Sequence, residues 1–173
     1  MTTSQSLTLT INGSKLAVGT RPELSELEAA LRGVALSDSP VVIRAPDDDQ
    51  EHFLNRIHGL GRRRELPMHL CRDPQDARPL LDSVSEGADT TPECLGTWAL
   101  WGIDAWAQEE QQRLGDVLEA LDLGRLHGRL RHERIPRVVM LSQPEGGSRL
   151  LPALARRISY FTLLAEPNEP SEK

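Results

Sequence analysis

Three acidic residues in a row, Asp47-Asp48-Asp49, follow closely on the apolar run Pro40-Val41-Val42-Ile43. Carboxylates are the hard oxygen donors that divalent cations take, so the triplet is a candidate metal ligand set. The plainer alternative is a solvated acidic stretch at a helix start, where negative charge offsets the positive end of the helix dipole. A second apolar run, Gly96-Thr97-Trp98-Ala99-Leu100-Trp101-Gly102-Ile103-Asp104, has Trp101 and Gly102 at its end. Neither can ligate a hard cation or act as a base. A third group, Arg125, His127, Arg129, Arg131, His132 and Arg134, makes a local basic patch. It suits an acidic partner or nucleic acid, or else a solvated loop balanced by the acidic remainder. The five histidines and two cysteines show no metal-ligand spacing. Residue order alone supplies no nucleophile–base pair.

Composition narrows the field. The chain has 173 residues, enough for one domain with a full core, and 38% of them are apolar. The net charge of −6 and the pI near 5.4 make nucleic acid an unlikely main partner. No apolar run is long enough to span a membrane, and Met1 to Ser6 contains no signal-peptide core, so a cytoplasmic location is expected. Cys71 and Cys94 read as reduced thiols. Lys15 and Lys173 are the two lysines, so the middle of the chain offers none to hold a phosphate.

The elements that would position these residues can be read in order. Leu7 to Ile11 alternates as an edge strand, Asn12-Gly13 signals a turn, and Lys15 to Val18 forms the return strand. A helix follows, with Thr20 as cap, Pro22 in its first turn, Leu24, Leu27 and Leu31 on its apolar face, and Gly33 closing it. Pro40 to Ile43 is a buried strand. Residues 45–50 read as a loop, and a helix from about Glu51 to Leu60 buries Phe53, Leu54 and Ile57. Pro67 to Cys71 is a strand. Pro74 to Val84 is a helix with Ala77, Leu80, Leu81 and Val84 inward. Residues 85–93 are a polar loop. The Trp98 strand leads to a long helix with Leu114, Val117, Leu118 and Leu121 at i, i+3, i+4 and i+7. Residues 124–134 read as a loop or irregular hairpin. Arg137 to Ser142 is a strand, Leu150 to Arg157 a short helix, Ile158 to Ala165 a last strand, and 166–173 a disordered tail. Strands alternating with helices predict a parallel sheet covered on both faces.

In this order the residues resemble the central AAA+ domain of bacterial enhancer-binding proteins, the sigma-54-dependent transcription activators. That family has Ser-Asp-x-Pro-Val-Leu-Ile before its phosphate loop, and Ser37-Asp38-Ser39-Pro40-Val41-Val42-Ile43 is similar. Its Ile-His and Ser-x-Arg-x-x-x-Pro-Phe look like Ile57-His58 and the stretch Gly61 to Met68. Its Gly-Thr-Leu-Phe-Leu-Asp-Glu-Ile, with a Gln and a Leu-Leu-Arg-Val-Leu helix, looks like Gly96 to Ile103, then Gln111 and Leu114 to Leu118. Its Leu-Tyr-Tyr-Arg-Leu-Asn-Val-Phe is similar to Leu154 to Phe161. The resemblance implies a three-layer αβα sandwich of P-loop/AAA+ type, with a mostly parallel five-stranded sheet over 16–165. Residues 1–15 would form an N-terminal extension or hairpin.

The departures fall on the chemistry. The phosphate loop, Gly-Glu-x-Gly-Thr-Gly-Lys-Glu, is replaced by Ala45-Pro46-Asp47-Asp48-Asp49-Gln50-Glu51. A phosphate cradle needs glycine-permitted backbone approach, inward N–H groups and a cation. Aspartates there would repel a triphosphate, each unit-charge pair at ~4 Å costing about 1 to 4 kcal/mol. The metal-binding Asp-Glu is Trp101-Gly102, and the sensor Thr-Asn looks like Ser142-Gln143. Of two arginines that reach a neighbour's nucleotide in the family, one position is Leu151 and the other is Arg157. The Gly-Ala-Phe-Thr-Gly-Ala loop has no counterpart between Cys71 and Gly96, and the helical lid and DNA-binding helix-turn-helix would be missing. The expectation is a pseudo-ATPase with no cofactor and no metal, acting as an adaptor or regulator in bacterial signalling. An atypical nucleotide-binding switch and a self-assembling scaffold are the alternatives. The expected partners are proteins, such as an AAA+ activator or signalling protein, or a second copy, with no membrane contact. Trp101 and Trp106 would fill the vacated pocket or anchor an interface, and Arg129, Arg131 and Arg157 are further contact candidates.

Overall fold

A computed structural model describes residues 6–11, 14–18, 23–37, 39–45, 47–83, 94–126, 135–142, 150–152, 154 and 161–166. The strands are β1 (Ser6–Ile11), β2 (Ser14–Val18), β3 (Val41–Arg44), β4 (Met68–Cys71), β5 (Thr97–Trp101), β6 (Arg137–Ser142) and β7 (Phe161–Glu166). The helices are α1 (Glu23–Leu36), α2 (Asp47–Leu60), α3 (Arg78–Ser83) and α4 (Gln108–Leu126). The seven strands form one sheet in the order β2-β1-β7-β3-β6-β5-β4. Strands β3, β6, β5 and β4 are parallel, β7 joins them in parallel beside β3, and the β1–β2 hairpin pairs antiparallel with β7. The α/β fold expected from the alternation of strands and helices is the one observed.

Each face of the sheet has its own core. On one side, Leu31, Val34 and Ala35 of α1 and Phe53, Leu54 and Ile57 of α2 pack on Val41, Ile43, Ala99, Val139 and Leu141. On the other, α3 and α4 bring Leu80, Leu81, Leu114, Val117, Leu118 and Leu121 against Val42, Trp98, Leu100, Val138 and Met140. The two sets alternate along β3, β5 and β6, as the two-residue period of a strand requires. The stripes expected in α2 and α4 are the ones buried.

Element boundaries moved where local signals met tertiary demands. Gly33 does not close α1; the helix runs on to Leu36. Val34 and Ala35 are 1% and 3% exposed, and that burial outweighs the ~1 kcal/mol helix cost of one glycine. The helix α3 starts at Arg78 and not near Pro74. Asp73 and Asp76 accept bonds from the amides of Gln75 (2.8 Å) and Arg72 (3.1 Å), holding that stretch in turns. α4 runs through Gly124 to Leu126, where a loop was expected. Gly96 has φ +113°, and a Cβ there would lie 2.1 Å from the Pro67 carbonyl oxygen, so the start of β5 requires glycine.

Candidate functional site

β3 is continued by α2 on one face, while Leu150, Leu151 and Leu154, which follow β6, pack on the other. Adjacent parallel strands whose continuations leave to opposite faces open a crevice at their carboxyl ends, where α/β sheets receive ligands. Here that crevice lies between Arg44 of β3 and Ser142 of β6, which are paired in the ladder.

The crevice is bridged by the protein itself. The Ala45 amide donates to the Ser142 carbonyl at 3.1 Å. Gln50, in the first turn of α2 and 2% exposed, donates from Nε2 to the carbonyls of Ala45 (2.6 Å) and Ser142 (2.9 Å). The Gly102 amide donates to the Leu141 carbonyl at 3.1 Å, joining the end of β5 to β6. One side-chain amide thus ties the start of α2 to the ends of two strands. The sequence placed Gln50 in this stretch but gave no sign of this role, because its acceptors are main-chain groups, one of them 92 positions away.

The expected loop at 45–50 is corrected. Only Ala45 and Pro46 separate Arg44 from Asp47, so the acidic triplet lies in the first turn of α2. Asp47 and Glu51 are exposed, and Asp49 is half-buried. Asp49 Oδ2 and Arg44 Nε are buried without a hydrogen-bond partner among the described residues. Pro46 and the Asp48 side chain lie outside the described residues. In a first turn, carboxylates offset the helix dipole, and the same charges give this rim of the crevice a negative sign.

Trp101 and Trp106 lie against different cores. Trp106 is 7% exposed and belongs to the α3–α4 core, and its carbonyl accepts from Gln111 Nε2 at 3.1 Å. Gln111 is itself 1% exposed, and its Oε1 accepts from the Leu151 amide at 2.9 Å. Trp101 is half-buried against the α1–α2 core, with the Arg72 guanidinium 4.0 Å over its ring. Gly102 adopts a left-handed conformation, φ 65°, at the turn after β5. Arg129, Arg131 and Arg157 lie outside the described residues.

At the opposite end of the sheet, three polar groups that the sequence gave no reason to single out hold elements together. Arg137 donates to the Val34 carbonyl at 2.6 Å near the end of α1, and Arg63 Nε donates to the Ile135 carbonyl at 2.7 Å. His58 Nδ1 and Thr97 Oγ1 share a 2.8 Å hydrogen bond, and burial pulls the His58 pKa below its usual 6.5. Among the described residues, no three His, Cys, Asp or Glu side chains converge to hold a metal, and no helix is long and apolar enough to cross a membrane.

Comparison with solved structures then places the architecture. The P-loop NTPase domain of a sigma-54 transport activator from E. coli superposes with a TM-score of 0.59 at 15% identity, covering 87% of this chain and 99% of that one. The chain shares the fold of that P-loop NTPase domain. NtrX from Brucella abortus, in complex with ATP, gives a TM-score of 0.57 at 18% identity, and the match spans 86% of this chain but only 36% of NtrX. A DNA polymerase III gamma subunit-related protein from Thermotoga maritima gives 0.50 at 11% identity over 86% of this chain. No protein-family model and no curated protein matches the sequence. P-loop domains thus share this architecture, and their residue identities are too low to carry a function with it.

Proposed function

We infer that this domain is a pseudo-ATPase that acts through protein contacts, as an adaptor or regulator in bacterial cytoplasmic signalling or transcription control. The observation that supports this most directly is Gln50. Its amide donates to the carbonyls of Ala45 and Ser142, in the crevice where a P-loop fold would receive a phosphate. The two-residue link from β3 to α2 leaves no cradle. The exposed Asp47 and half-buried Asp49 oppose a triphosphate. Trp101 and Gly102, at the end of β5, cannot hold magnesium. Partner contact falls to the remaining surface, with the Trp101–Arg72 pair as a candidate anchor.

The experiment is a thermal melt of the chain with excess magnesium-ATP, beside magnesium-GTP and magnesium alone. No shift is expected. A shift with either nucleotide would mean that the crevice, or another surface, binds nucleotide, and the adaptor reading would give way to an atypical nucleotide switch.

A further inference from the structure

We draw no further inference here: the strongest candidate, the outer edge of β4, with which no strand pairs among the described residues and on which Leu70 is 54% exposed, carries no proposal because nothing in the structure shows what covers it.

Discussion

The Gln50 amide satisfies two carbonyls that no other described side chain reaches, so its substitutions separate packing from hydrogen bonding. Gln50→Ala should destabilise the chain by about 1 to 3 kcal/mol, the usual effect of stranding a buried acceptor, here the Ala45 carbonyl, because the Ser142 carbonyl keeps its bond from the Ala45 amide. Gln50→Glu keeps the shape but turns carboxylate oxygens toward carbonyl oxygens, and should be the worse of the two at neutral pH. Urea unfolding of both variants decides this; a Glu variant as stable as the natural chain would show that the amide is not donating there. His58 offers a second test. Its folded pKa lies below 6.5, so at higher pH it is neutral in both states and its full contribution is present. As pH falls below 6.5 the unfolded chain takes up the proton first, and stability is lost until the folded imidazole is protonated as well. His58→Asn should remove that part of the acid slope, seen as urea midpoints that converge with the natural chain's as the pH falls below 6.5. The types of these residues were visible in the sequence, but their partners, Ser142 and Thr97, lie far along the chain and became visible only with the sheet in place.

At the scale of elements, the apolar periodicities carried the most information. The stripes Leu114-Val117-Leu118-Leu121 and Phe53-Leu54-Ile57 are buried as their spacing required. The ends of elements were less legible, because glycine and aspartate have local preferences that burial can override or exploit. Gly33 reads as a stop signal, yet it is exposed within α1, and a Cβ there would meet nothing within 4 Å. Gly33→Ala should therefore stabilise the chain by about 0.5 to 1 kcal/mol, measurable as a higher urea midpoint. A destabilised variant would mean that Gly33 does end the helix in solution. The acidic triplet is the reverse case. It reads as a loop because three aspartates disfavour a helix interior, but in the first turn the same charges are favourable, and α2 begins at Asp47.

For the whole molecule, the nucleotide melt is the decisive measurement. A ligand at ~100 times its dissociation constant would stabilise the native chain by about 2.7 kcal/mol. For a domain this size that is roughly 5 to 11 °C in Tm, well above measurement error. The absence of a shift would therefore be informative. What the sequence by itself determined was the α/β architecture and the residue types at the strand ends. Hydrophobic periodicity is a property of consecutive residues, and the pattern of glycine, lysine and acids can be read without coordinates. What the tertiary structure decided was the state of the crevice and of the sheet edge. Gln50 meets Ser142 only because β3 and β6 are neighbours in space, and β4 is an edge only because the strand order places it last. Strand order is set by how the two helical layers bury their stripes on opposite faces of the sheet. That is a relation between segments far apart in the chain, and no local run of residues encodes it.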